Sequence, residues 1–294
     1  MGVTYRSGLV ALAGRPNVGK STLANALAGS QVAAVSPRPQ TTRRRITAVV
    51  HGDDWQAVLL DLPGFQRPAD VLTSRMQATV DQSLGDCDAA VFVLNGAEPV
   101  GGGDRFIAER LKASGLPVIT VVNQLDRLGP DETVAAIAGA AELVDFVELH
   151  PVSAKLGRGI DALRADLPRL LREGPRYFPE GMATDQTEEE LAAELIREAA
   201  LLRLRQEIPH ALAVDVREIE PARHGVVVRA SLLVETESQK GIVVGRGGGM
   251  IRDIGSSARS ALSRLWGTEV HLDLTVRVRK RWRDDESMLQ RLGL

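Results

Sequence analysis

One cysteine, Cys87, is present among 294 residues, so the chain can build neither an internal disulfide nor a thiolate metal centre, which suits a reducing cytosol. The ordinary role for such a residue is that of a small buried hydrophobe. No apolar run reaches the 18 or so residues that a membrane-crossing helix needs. The N-terminal stretch carries neither the basic segment nor the small-residue cleavage site of a secretory leader, and no export is expected. The five histidines are scattered and form no ligand cluster. Internal repeats and low-complexity segments are also missing.

What is there is ordinary in bulk: 44% hydrophobic and 25% charged, close to the soluble globular average and enough for two domains at this length. The net charge of -2 hides an asymmetry. From Gly241 to Leu294 ten Lys/Arg face six Asp/Glu, a balance of +4, which leaves -6 for the remainder. A basic tail on an acidic body suits a polyanionic partner.

The first part alternates short apolar runs with amphipathic ones. Ser7–Ala13, Ala89–Leu94, Pro117–Val122 and Phe146–Leu149 read as strands buried on both faces. Arg45–Val50 and Trp55–Leu62 flank a hairpin turn signal at Gly52-Asp53-Asp54. Helical patterns fill the gaps at Thr22–Leu27, Val71–Leu84, Asp104–Lys112, Asp131–Val144 and Ile160–Leu171. This predicts a wound α/β domain over 1–172, with a mostly parallel six-stranded sheet and helices on both faces. Glycines and prolines then mark a linker over 173–190. Over 191–294 the pattern reads α-β-β-α-α-β, with a helix from Thr187 to about Gln206, strands at Ala213–Ile219, Val226–Glu235 and Glu269–Val278, and helices at Ser238–Val244 and about Met250–Leu265.

The strongest motif is Gly14-Arg15-Pro16-Asn17-Val18-Gly19-Lys20-Ser21, a G-x-x-x-x-G-K-[ST] match between strand and helix, followed by Thr22. Its glycines let the backbone curl so that several N–H groups face one phosphate, and the helix N-terminus adds positive potential. Lys20 supplies charge to the β/γ-phosphates and the Ser21 hydroxyl a ligand to Mg²⁺. Asp61-Leu62-Pro63-Gly64 fits D-x-x-G, with Asp61 toward the metal and the Gly64 N–H toward the γ-phosphate. Asn123-Gln124-Leu125-Asp126 resembles N-K-x-D, whose aspartate accepts from N1–H and N2–H₂ of guanine; adenine lacks that donor pair, so Asp126 selects guanine. Ser153-Ala154-Lys155 resembles the S-A-K box, whose backbone supports the base at O6. GTP and GDP are thus the expected ligands.

These boxes in this order resemble the TRAFAC class of GTPases, and the Era family within it. Gln40-Thr41-Thr42-Arg43 resembles that family's switch I signature. By that match Thr42 ligates Mg²⁺ and contacts the γ-phosphate, so Lys20, Thr42 and Gly64 are the expected catalytic set. Two departures stand out. Gln124 replaces the lysine whose stem packs on guanine and ties the base loop to the phosphate loop, and Leu62 replaces a threonine. Phe65 sits where many small GTPases carry a water-orienting glutamine, so slow intrinsic turnover is expected. Asn17 matches a position that ligates K⁺ in related GTPases, which implies K⁺-stimulated hydrolysis.

In the second part, Ile242-Val243-Val244-Gly245-Arg246-Gly247-Gly248-Gly249-Met250-Ile251 resembles the KH core, with Gly245 to Gly248 as its G-x-x-G loop. Such a loop presses on the backbone of about four nucleotides. Arg246 and Arg252 add charge, while Ile242, Val243 and Ile251 are expected to line a groove for unstacked bases. Arg277, Arg279, Lys280, Arg281 and Arg283 form a candidate second phosphate surface. The element order matches a type II KH domain. Ala193–Glu198, Glu207–His210, Val270–Leu274 and Trp282–Glu286 resemble further Era segments, so the likeness runs from about Ser7 to Leu294. The resemblance implies binding of 16S rRNA near its 3′ end, a role in maturation of the 30S subunit, a monomer, and a cytoplasmic protein loosely associated with the inner face of the membrane. Two other readings stay open on the residues alone: an RNA-binding assembly factor with a non-hydrolysing nucleotide pocket, and an ATP-dependent nucleic-acid enzyme.

Overall fold

The computed structural model describes residues 4–38, 40–64, 69–205 and 208–294; Phe65 and Glu207 therefore lie outside the described residues. The chain forms two compact units. Within the described residues, the first holds 4–32, 42–64 and 77–185, and the second holds 33–38, 40–41, 69–76, 186–205 and 208–294.

In the first unit β1 (Arg6–Ala13), β3 (Trp55–Asp61), β4 (Ala89–Asn95), β5 (Val118–Asn123) and β6 (Glu148–Pro151) run parallel, and β2 (Ile46–His51) closes the edge as an antiparallel hairpin with β3. The strand order β2-β3-β1-β4-β5-β6 gives the expected six-strand path. The connections carry α1 (Lys20–Ala28), α2 (Val71–Asp86), α3 (Gly102–Ser114), α4 (Pro130–Ala141) and α5 (Ile160–Asp166). All seven residues of β4 and all six of β5 are buried, as continuous apolar strands between helical layers must be. Phe92, Val80, Ile107, Leu111 and Val122 meet in one core cluster, together with Cys87. Burial pushes the Cys87 thiol up to about 12, so it is an inert hydrophobe, as its isolation in the sequence suggested. The helices start where side chains meet free N–H groups: Asp104 accepts from the Gly101 N–H (2.9 Å) to open α3, and Glu132 from Gly129 (2.9 Å) to open α4 behind Pro130.

The stretch expected to be a linker is not one as far as Asp185. A two-residue strand, β7 (Arg172–Glu173), pairs antiparallel with Arg6 and Ser7 of β1. Beyond it the buried Gln56 side chain donates to the Phe178 carbonyl (2.9 Å) and accepts from the Tyr177 and Phe178 N–H groups (2.9 and 3.0 Å). Val49 donates to the Ala183 carbonyl (2.8 Å). Prolines and glycines deny this segment an element of its own, yet its backbone groups find partners on β1, β2 and β3.

The second unit contains α6 (Glu188–Leu201), α7 (Ile208–Ala211), β8 (Ala213–Pro221), β9 (Val226–Val234), α8 (Glu237–Val244), α9 (Gly249–Trp266), β10 (Val270–Val278) and α10 (Glu286–Arg291). Its sheet has the order β10-β9-β8, with β9 parallel to β10 and antiparallel to β8. Thr187 and Glu190 form a capping box at the start of α6. In α9 Ile254, Ala258 and Leu262 recur at four-residue spacing and are fully buried. They pack with Ile196, Val228, Leu232 and Val243. The helix expected to reach Gln206 ends at Leu201, because the chain folds into turns onto the Ala200 carbonyl that bury Leu204 and leave Leu202 outside.

Candidate nucleotide and nucleic-acid sites

Every nucleotide-site residue expected from the motifs lies on the first unit, and each motif follows the C-terminal end of a strand. The phosphate loop leaves β1 after Ala13, Asp61 ends β3, Asn123 ends β5, and Ser153 follows β6. Parallel α/β sheets bind ligands at that edge, where helix N-termini and loops converge. Gly14, Asn17, Val18, Gly19, Lys20, Ser21, Thr22, Thr42, Gly64, Gln124, Asp126, Ala154 and Lys155 complete the set along these loops.

Gly19 precedes α1 with φ 97°, and a Cβ there would collide with the Asn123 side-chain amide. A Cβ on Gly64 would fall 2.8 Å from Pro16, so the D-x-x-G loop passes directly over the phosphate loop. The Lys20 ammonium is buried and donates to the Gly14 and Arg15 carbonyls, both at 3.1 Å. Burial lowers its pKa and the Asp61 carboxylate opposes that fall. Three oxygen donors converge beside it. The Ser21 hydroxyl donates to Asp61 Oδ2 (2.6 Å) and lies 2.9 Å from the Thr42 hydroxyl, which donates to the same Oδ2 at 3.3 Å. Two hydroxyls and a carboxylate on one point form the hard oxygen set that Mg²⁺ takes together with substrate phosphate.

At the base end, Asn123 donates to the Val18 carbonyl (2.9 Å) and accepts from the Ala154 N–H (3.0 Å). Ser153 donates its hydroxyl to Asp126 Oδ1 (2.6 Å). That bond, ahead of the weaker pull of Lys155 and Arg127, holds the Asp126 carboxyl below the usual carboxylate range. Asp126 is therefore held ionised and able to accept hydrogen bonds.

Sequence reasoning passed over Arg15, although it lies inside the motif. Its Nε donates to the buried Asp104 (2.8 Å) and an Nη to Glu98 (3.1 Å), tying the phosphate loop to the start of α3. It also passed over Arg127, which bonds Gln124. The Arg15–Asp104 pairing joins residues 89 apart, whereas Arg127 lies only three residues beyond Gln124.

On the second unit, Gly245 to Gly248 form a tight turn closed by the Gly248 N–H on the Gly245 carbonyl (3.1 Å). Gly245 has φ 73°, and a Cβ there would come within 2.6 Å of the Met250 side chain. Arg246, Arg252 and Lys280 are exposed, Ile242 is 48% exposed and Ile251 half-buried. Val243 departs from expectation: it is completely buried in the core with Ile254 and Ala258, because α8 turns that face inward, so it cannot line a groove. Arg279 is exposed but donates to Asp285 (2.9 Å), whose carboxyl Ser287, Met288 and Arg279 together hold down at about 2. Arg283, counted in the second phosphate surface, pairs instead with Asp70.

The second unit also includes Gln40 and Thr41 of the switch I signature and the start of α2. The Val35 N–H donates to Glu198 (3.1 Å). Arg197, buried and paired with Glu194 (3.0 Å), donates to the Gln40 and Thr41 carbonyls. Leu72 and Met76 of α2 pack with Leu233, Leu289 and the fully buried Trp282, whose indole donates to the Ala211 carbonyl (2.9 Å). One of the places where the chain passes between the units is the Thr41–Thr42 peptide bond.

The model of the 50S ribosome-binding GTPase family matches residues 9–124, and the KH domain model matches 207–283. Among curated proteins, the GTPase Era of Mycobacterium bovis is 45% identical, with 98% of this chain and 99% of that one covered. The GTPase Era of Mycobacterium avium is 44% identical with the same coverage. Among solved structures, a crystal structure of Era in complex with MgGDPNP and nucleotides 1506–1542 of 16S ribosomal RNA has a TM-score of 0.93 at 34% identity, covering 98% of this chain and 99% of that chain. A crystal structure of a point variant of Aquifex aeolicus Era bound to GDP·AlF4⁻ has the same TM-score of 0.93 at 35% identity.

Proposed function

The chain belongs to the Era family of GTPases, and we propose on that basis that it is a GTP-hydrolysing switch that binds 16S rRNA near its 3′ end through its KH domain and acts in maturation of the 30S subunit. The observation that carries the reading is the convergence of Lys20, Ser21, Thr42 and Asp61 at the strand ends where Asn123 joins the phosphate loop to the base-reading loop. The first unit acts as the GTP-binding domain and the second as the RNA-binding module. Ser21 and Thr42, and Asp61 through water, would hold Mg²⁺, which would supply charge neutralisation on the phosphates. Lys20 and the phosphate-loop N–H groups orient the γ-phosphoryl, the Gly64 N–H senses it, and Asp126 accepts from guanine. Gly247 and Gly248 with Arg246 and Arg252 take the RNA backbone, and Ile242 and Ile251 take unstacked bases.

In this reading Asn17 would hold K⁺, which would speed hydrolysis, the protein acts as a monomer, and it associates loosely with the inner face of the membrane. Equal turnover in Na⁺ and K⁺ removes the potassium role. The main test is single-turnover phosphate release from GTP, with and without a pyrimidine-rich RNA, against a Lys20→Ala control. Release above that control supports an enzyme; none in either condition leaves an RNA-binding factor that only holds nucleotide.

A further inference from the structure

The family's base-reading box has a lysine where this chain has Gln124. A glutamine is shorter and uncharged, and substitution alone would cut the link that the lysine makes to the phosphate loop. The link is nonetheless present. Gln124 lies in the left-handed region (φ 64°), which turns its side chain back, and its amide nitrogen donates to the Asn17 carbonyl at 2.9 Å. The amide oxygen, which would otherwise face water, accepts from Nη1 of Arg127 at 2.7 Å. Arg127 closes the one-turn 3₁₀ segment Leu125–Arg127, so it stands one turn beyond Gln124 and next to Asp126. The chain of bonds runs from guanidinium to amide to phosphate-loop carbonyl.

We infer that Arg127 is a positioning residue for guanine nucleotide: it orients and polarises Gln124, and the pair does the work that a single lysine does elsewhere in the family. This rests on the nucleotide site proposed above. Three features support it. Only the amide nitrogen can donate to the Asn17 carbonyl, and an unsupported side chain of this length also swings out to water; a donor on Oε1 holds the amide in the one orientation that aims its nitrogen at the phosphate loop. The bond is charge-assisted, which strengthens the donor at the far end of the amide. The positive charge absent from position 124 is restored within one turn, where it also helps keep Asp126 ionised.

The test is a double-mutant cycle read as GDP and GTP affinity by titration of a fluorescent nucleotide with Mg²⁺, using the full chain. The two bonds are exposed, so each is worth only a modest factor. Arg127→Ala and Gln124→Ala are each expected to weaken binding roughly 3- to 10-fold, with GDP and GTP affected alike and the double variant no worse than either single. Gln124→Lys is expected to restore or exceed the original affinity, and Arg127→Ala added to Gln124→Lys to cost less than about 2-fold, because lysine needs no orienting partner. Unchanged affinity in Arg127→Ala, or an equal cost of Arg127→Ala in the parent and in the Gln124→Lys background, overturns the inference while the nucleotide site stands. Failure of the unaltered chain to bind guanine nucleotide overturns the site reading and this inference together. Circular dichroism of each variant checks the fold, which a surface arginine is not expected to disturb.

Discussion

The side-chain amide of Asn123 donates to the Val18 carbonyl across 2.9 Å, and so fastens the base-reading loop to the phosphate loop. Its oxygen takes the Ala154 N–H at 3.0 Å, so one buried side chain joins three of the four motifs. Asn123→Ala leaves a buried carbonyl and a buried N–H unpaired. A loss of about 2–4 kcal/mol in unfolding free energy is expected by denaturant titration, together with weaker GDP binding. Unfolding free energy within about 0.5 kcal/mol of the parent would show that this bond organises nothing.

The Ser153–Asp126 bond predicts a pH dependence. Guanine requires Asp126 ionised, and the Ser153 hydroxyl depresses its pKa. The accepting form therefore survives as pH falls through the ordinary carboxylate range, and binding is lost only as pH falls through the depressed value. Ser153→Ala removes the largest cause of that depression, so loss of GDP affinity is expected to begin at higher pH than in the parent. Superimposable affinity–pH curves would refute this. The effect belongs to binding, since Asp126 is exposed.

Gly247 and Gly248 sit at φ 59° and 75° with open space around an added Cβ. Aspartates at both positions strain the loop and set two negative charges where an RNA backbone would lie. Gel-shift titration of a pyrimidine-rich RNA should show binding abolished, while GDP affinity stays within about 2-fold because the nucleotide motifs lie on the other unit. Unchanged RNA affinity would move the binding surface elsewhere.

The motifs were legible because each is contiguous and its chemistry is local: curled glycines, a lysine, a hydroxyl, a carboxylate at a strand end. The buried strands were legible for the same reason, since β4 and β5 are apolar without interruption. What the sequence hid depends on partners far along the chain. Arg283 looks like one more cation in a basic run, and only Asp70, over 200 residues earlier, takes it out of that surface. Val243 looks like its exposed neighbour Ile242, and only the rotation of α8 separates them. Glycines and prolines over 173–185 read as linker because local pattern cannot show that Gln56 is waiting for the Tyr177 and Phe178 amides. Nor does the Ala193–Glu198 segment reveal that Arg197 bonds the Thr41 carbonyl, 156 residues earlier.

In the proposed function a curled phosphate loop between Gly14 and Ser21 grips the phosphates while Asp126 reads the purine edge. Asp126→Asn replaces an acceptor with a mixed donor–acceptor, which suits the 2-oxo group of xanthine and opposes the 2-amino group of guanine. Competitive titration of GDP against XDP in the parent and in Asp126→Asn tests this most directly. The account predicts that the parent prefers GDP and that the variant reverses toward XDP by a factor on the order of 100 or more. Unaltered base preference in the variant would contradict it.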